Sequence, residues 1–211
     1  MLYAEINGVM KNGIEEILGI LKFADDLGGV ITLPDVKTLL YDRSVFQISK
    51  LLTRLEESGA LKRFIRGFYY LPDKDIDLAL LSQRITEESY VSFETVLSRE
   101  LIIGTKPRFA IAAVKIGASR TYQDENYKIT QFGIKADLFF GYERKGCVAY
   151  ADKEKALLDI LYCYMLGNYK PLIDIYSDID YRCFDKKRLI SYLKKYKNPK
   201  FRTFVHSLLG A

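Results

Sequence analysis

Tryptophan is absent from this 211-residue chain, histidine occurs once and cysteine three times. The thiols, Cys147, Cys163 and Cys183, are widely spaced and odd in number, with no Cys-x-x-Cys pair, and His206 is the lone imidazole. A zinc site of the Cys/His type is therefore not expected. Three reduced thiols acting as small hydrophobes fit a cytoplasmic protein instead. Long apolar runs are also missing. The greasiest stretch, Ala156 to Leu166, is short and holds Asp159, so no membrane span is expected. Met1-Leu2-Tyr3-Ala4-Glu5 lacks the basic start and apolar run of a secretory leader. There is no Gly-x-x-x-x-Gly-Lys-Ser/Thr loop and no Gly-x-Gly-x-x-Gly turn, so no nucleotide cofactor is expected. No Ser or Cys stands in a recognisable nucleophile setting, and His206 lies in an otherwise apolar segment, so the chain does not read as an enzyme.

What is present describes an ordinary globular protein, 49% hydrophobic and 28% charged. Its length suits one large domain or two small ones. The net charge is a modest +5, unevenly spread. Between Arg43 and Arg66 six Lys or Arg face two acids, a local +4; from Arg182 onward nine face one, a local +8; the remainder is about −7. Two basic regions point to anionic partners, nucleic acid first.

The first basic region sits in an ordered pattern. Apolar periodicity predicts a helix over Ile14–Leu27, then Gly28-Gly29 and a short strand, Val30-Ile31-Thr32. A short helix over Leu33–Leu40 follows, then the polar turn Tyr41-Asp42-Arg43-Ser44. A third helix runs over Val45–Ser58 and stops at Gly59. Two strands, 60–65 and 68–71, flank Arg66-Gly67, where glycine permits a positive φ. In the third helix Val45, Ile48, Leu51, Leu52 and Leu55 share a buried face. Arg43, Gln47, Lys50 and Arg54 fall on another, with Ser44 suited to the N-cap. Arg can pair with guanine and Gln with adenine, so this second face has base-reading chemistry. Lys62, Arg63 and Arg66 would meet phosphates. The order matches a winged helix-turn-helix, in which a third helix enters the major groove of double-stranded DNA beside a hairpin wing. The alternative is a winged helix that docks protein and never touches DNA.

Pro72-Asp73-Lys74-Asp75 breaks the pattern and divides the chain into domains 1–74 and 75–211. The second part reads as α+β. Helices are expected over Ile76–Thr86, Phe93–Leu101 behind a Ser92 cap, Asp152–Met165, Lys170–Tyr176, Asp185–Tyr196 and Phe201–Leu209. Strands over 108–115, 127–132, 138–142 and 147–151, punctuated by glycine, suggest a small, mainly antiparallel sheet. A metal-dependent nuclease is the enzymatic rival. Glu143-Arg144-Lys145 has the acid-x-Lys spacing, and Asp124 or Asp137 could supply the first acid, although the triplet also reads as a hairpin turn. Gly117-Ala118-Ser119-Arg120 lacks the paired acids that would make it a nucleotidyltransferase loop.

Three stretches carry a family likeness: Leu61 to Tyr69; Tyr90-Val91-Ser92-Phe93-Glu94-Thr95-Val96-Leu97 with Leu101-Ile102; and Tyr150-Ala151-Asp152-Lys153-Glu154-Lys155-Ala156-Leu157-Leu158-Asp159. Together they resemble the AbiEi-type antitoxins of type IV toxin–antitoxin systems, which act in abortive infection. The resemblance implies a cytoplasmic transcriptional regulator that binds operator repeats and represses its own operon. It also implies a second domain that counters a nucleotidyltransferase-type toxin, without assuming direct binding. The DNA contacts it implies are Arg43, Ser44, Gln47, Lys50 and Arg54, with Lys62, Arg63 and Arg66 on the wing. Lys153, Glu154 and Asp159 are one place to look for antitoxicity; docking of their helix on the sheet is the plainer use of the same residues.

Overall fold

The computed structural model describes residues 2–104 and 108–210, excluding the side chains of 2–12. Met1 and the side chains of Leu2–Glu5, on which the absence of a leader was read, therefore lie outside the described set. The chain forms a mixed α+β protein of two compact units, Met1–Asp77 and Leu78–Ala211. The division falls at Asp77, against an expectation of 74. No described helix is long and apolar enough to cross a membrane.

The first unit begins with α1 (Leu2–Asp26), longer than the expected 14–27. Asn7, Gly8 and Gly13 are weak helix formers, which is why periodicity alone began the helix late. Next come β1 (Val30–Thr32), α2 (Leu33–Leu39), α3 (Val45–Glu57) and the hairpin β2 (Lys62–Ile65) and β3 (Phe68–Tyr70). The strands form one antiparallel sheet, ordered β1-β3-β2. Thr32 caps α2 in a reciprocal box with Asp35, and Ser44 caps α3 in another with Gln47. Ile20 and Ala24 of α1, Val36 of α2, and Ile48, Leu52 and Leu55 of α3 meet Ile31, Leu61 and Tyr69 in one core. The Leu33 amide donates to the Gly67 carbonyl at 2.9 Å, so the hairpin turn is tied to the start of α2.

The second unit holds α4 (Leu78–Ile85), β4 (Ser89–Val91), α5 (Phe93–Arg99), β5 (Ala110–Ile116), β6 (Arg120–Gln123) and β7 (Lys128–Ile134). After them come β8 (Tyr142–Lys145), β9 (Val148–Ala151), α6 (Lys153–Met165), α7 (Lys186–Leu193) and α8 (Pro199–Leu208). Six strands form one sheet in the order β6-β7-β5-β4-β9-β8. The sheet is mainly antiparallel, as expected from sequence, but larger than expected and mixed. Three pairs are antiparallel, but β5–β7 and β4–β9 are parallel, and β5–β7 is the longest register in the molecule. The connection between β5 and β7 is spent on β6, which pairs outside β7 and lets the chain return in the original direction. The 138–142 strand shifts to 142–145 behind a single 3₁₀ turn over Ala136–Leu138.

The helix expected over Lys170–Tyr176 does not form. Asp174 accepts from the Tyr176 amide at 2.8 Å, and Asp178 accepts from the Asp174 amide at 2.8 Å. These local side-chain bonds compete with helix formation. The Leu172 amide is also donated away, to buried Glu94 at 3.1 Å.

Candidate nucleic-acid interface

Helix α3 fixes most of the residues expected to meet DNA. Its core side is Ile48, Leu52 and Leu55, all buried. Residues opposite that side, at i, i+4, i+7 and i+11, are Phe46, Lys50, Thr53 and Glu57, and all four are exposed. Gln47 and Arg54 flank this outward row on the side facing α1. With Arg43 and Lys50 they line a groove of about 410 Å³ whose other wall includes Gly13, Ile14, Glu16 and Ile17 of α1. The structure thus brings Arg43, Gln47, Lys50 and Arg54 together, as their spacing required.

It does not leave them equally available. The Arg43 guanidinium donates through Nε to Glu16 Oε1 at 3.1 Å and also through Nη2. Hydrogen bonding and charge from Glu16 raise the Arg43 pKa further. The Ser44 hydroxyl accepts from the Gln47 amide at 3.3 Å, and Gln47 Oε1 accepts from the Ser44 amide at 2.9 Å. Both side chains are spent on the cap, leaving Gln47 Nε2 as its spare donor. Lys50 and Arg54 are exposed and have no ion pair among the described residues.

On the hairpin, Lys62 is half-buried. Arg63 Nη2 pairs with Glu56 at 2.6 Å and lies 5.5 Å from the centre of the Tyr69 ring. That pair ties the hairpin to the last turn of α3. Arg66 is exposed beside Gly67, whose φ of 82° confirms the left-handed turn, and it has no described partner. Of eight expected contacts, three cations are therefore free: Lys50, Arg54 and Arg66. The basic character is local, because residues 1–77 hold 10 Lys or Arg against 12 Asp or Glu, net −2.

Sequence reading singled out Phe46 as the mark of the protein-docking alternative but missed Glu16 and Tyr41. Glu16 was unremarked because it lies 27 residues from Arg43 on another helix. Tyr41 is 87% exposed in the turn before α3, close in sequence to Phe46 at 78%. An exposed aromatic pair bracketing a helix start was visible in the sequence once the buried row of α3 had been assigned.

In the second unit, the stretch from Asp152 to Asp159 turns inward. Asp152 caps α6, accepting from the Lys155 amide at 2.8 Å, and accepts from the Tyr192 hydroxyl at 2.6 Å. Buried Glu154 accepts from the Asp185 amide at 2.9 Å, with Arg188 at 3.7 Å. Lys155 is fully buried and pairs with Asp159. Asp159 also accepts from Ser92 Oγ at 2.8 Å and from the Tyr90 hydroxyl at 3.1 Å. The ammonium lies 5.0 Å from the Phe140 ring centre and donates to the Tyr196 hydroxyl at 3.2 Å. Burial raises the Asp159 pKa against the opposing pull of Lys155, and raises those of Tyr90 and Tyr196 well above the usual phenol range. Gly141 is required here: its φ is 71°, and an added Cβ would sit 3.0 Å from Lys155 Cβ. Of the three residues singled out for antitoxicity, Glu154 and Asp159 are buried and engaged, and Lys153 donates to the Cys183 carbonyl at 2.7 Å.

The acid-x-Lys triplet occupies edge strand β8, where Lys145 pairs with Glu143 at 2.9 Å. Its candidate first acids are elsewhere. Asp124 follows β6 at the opposite edge of the sheet and accepts the Asn126 and Tyr127 amides; Asp137 pairs with Lys197 at 2.8 Å. Among the described residues no group of three or more His, Cys, Asp or Glu could hold a metal ion.

No protein-family profile matches the chain, and no curated protein matches it. A solved structure does: the crystal structure of RV2827C protein from Mycobacterium tuberculosis aligns over 93% of this chain and 76% of that one, with TM-score 0.61 and 14% identity. At that identity the likeness is one of fold.

Proposed function

We propose that the first unit is a winged helix-turn-helix that binds double-stranded DNA, with α3 as the reading helix and the β2–β3 hairpin as the wing. The observation that carries this reading is the free cationic set, Lys50 and Arg54 on α3 and Arg66 at the hairpin turn, within an otherwise acidic unit. An isolated basic edge on a net-negative body directs a phosphate backbone to one face and repels it from the rest. Phe46 adds an apolar group at the helix start, suited to the methyl of thymine. The Glu16–Arg43 pair holds one cation back until a phosphate or base competes for it.

With the three stretches resembling AbiEi-type antitoxins, the fuller proposal is a cytoplasmic, non-enzymatic autorepressor, binding operator repeats and countering a nucleotidyltransferase-type toxin. The buried engagement of Glu154, Lys155 and Asp159 supports a structural role for the third stretch, so antitoxicity is proposed to reside on other surfaces of the second unit. A protein-docking role for the first unit is the second reading, favoured by exposed Tyr41, Val45 and Phe46.

The deciding experiment is an electrophoretic mobility shift with the DNA immediately upstream of the gene, at two salt concentrations and against scrambled competitor. A specific shift that weakens steeply with salt is expected. No shift, or one competed equally by scrambled DNA, would overturn sequence reading in favour of protein docking.

A further inference from the structure

The outward face of α1 faces away from the core described above, and its composition is unusual for a water-facing helix. Ile14 and Leu18, one turn apart, are 57% and 60% exposed. Beside Leu18 lies a groove of about 290 Å³, lined by Glu15, Glu16 and Gly19 of α1 with Leu39 and Leu40 at the end of α2. Leu39 is itself 37% exposed. Gly19 gives the groove its depth: a Cβ there would meet only Leu39 Cδ2, at 3.9 Å.

Charges flank this apolar centre. Glu15 and Lys22 are exposed, and neither has a partner among the described residues. They are seven residues apart, about 10 Å along the helix and too far to pair with each other. They are also symmetrically placed, three residues before Leu18 and three after Gly19.

We infer that this face is a self-docking surface, on which α1 helices from two copies of the chain pack antiparallel about a two-fold axis between Leu18 and Gly19. In that arrangement position 18 of one copy meets position 19 of the other, so each Leu18 fills the groove beside the other copy's Gly19 and Leu39. Position 15 meets position 22, giving two reciprocal Glu15–Lys22 pairs across the axis. A single surface patch complementary to itself is what a closed two-fold dimer requires. The acids Glu15 and Glu16 disfavour an anionic membrane or a nucleic acid as occupant, and the inference stands apart from the DNA reading of α3.

Sedimentation velocity of the full chain across micromolar concentrations tests it. The 24.3 kDa species should give way to one of twice that mass. Leu18→Asp should weaken association about tenfold or more, since it places a carboxylate in the apolar centre. Glu15→Lys and Lys22→Glu, each alone, should weaken it about tenfold by setting like charges opposite. The double variant Glu15→Lys/Lys22→Glu should return to within about threefold of the parent, because the pairs are restored in reverse. All three positions are solvent-facing, and an unchanged circular dichroism melt confirms folding. A chain that stays at 24.3 kDa throughout, a dimer indifferent to Leu18→Asp, or a double variant no tighter than the singles would each overturn the inference.

Discussion

The Glu16–Arg43 pair shows how one residue can set the terms on which a neighbour acts. Arg43 carries the guanidinium a DNA reader needs, yet from the turn before α3 its donors are already directed at a carboxylate on α1. Any contact from Arg43 to phosphate must displace Glu16, whereas Lys50 and Arg54 face no such competitor. Replacing Lys50 and Arg54 together with Ala should abolish operator binding and leave the thermal transition in place, because both are exposed. Loss of the transition itself would show that this face is structural. Glu16→Gln should tighten binding and steepen the salt dependence by about 0.9 in log–log slope, as one more cation reaches a phosphate. An unchanged slope in a salt titration would show that Arg43 never leaves Glu16.

At the scale of elements, the caps and the buried rows were legible in the sequence, while pairings across the chain were not. Ser44 and Asp152 cap their helices because short oxygen-bearing side chains before an apolar period satisfy free amides, a rule that needs no tertiary knowledge; Thr32, read only as the end of a strand, caps α2 by the same rule. The interval from Val45 to Ser58 was read to within a residue for the same reason, but its inward row is narrower than expected: Ile48, Leu52 and Leu55 are buried, Leu51 is half-buried, and Val45, in the first turn, is 47% exposed. Strand partners were illegible because orientation is set by where a connection goes. The three-residue β4 and the four-residue β6 are too short to declare themselves, yet β6 decides that β5 and β7 run parallel. The expected 170–176 helix failed against carboxylates that bond locally, visible in Asp174 and Asp178 only with hindsight. Ser92 shows the opposite limit. It stands at the start of α5 as expected, but its hydroxyl goes to Asp159, 67 residues away, and makes no cap bond. Helix α6 depends on that destination. Asp159→Asn leaves the Lys155 ammonium buried without a counter-charge and should cost about 3–5 kcal/mol in urea denaturation. A loss under about 1 kcal/mol would mean that the tyrosine and serine hydroxyls suffice to hold the lysine.

Across the whole molecule, the tyrosines set an upper limit on pH. Burial pushes Tyr90, Tyr196 and Tyr169 above the normal phenol range in the folded chain. In the unfolded chain they ionise near pH 10. The unfolded state therefore binds fewer protons above that point, and stability, fully present below about pH 10, falls as pH rises beyond it. A thermal melt series should show a plateau to about pH 10 and then a steep decline, with part of the tyrosinate absorbance of the 16 tyrosines held back until the melt. The full tyrosinate absorbance reached before unfolding would show these rings to be accessible. Cys163 behaves alike, its thiol pushed up to about 12 by burial, whereas Cys147 and Cys183 are exposed. The inward wiring of Asp152 to Asp159 also bears on ancestry. A stretch held in place by its own interior tolerates little drift, so it can stay recognisable between lineages whose surfaces have changed. Kinship traced through those eight positions would report common descent of a scaffold, and whatever distinguishes one lineage's activity from another's would have to be sought in the residues that are free to change.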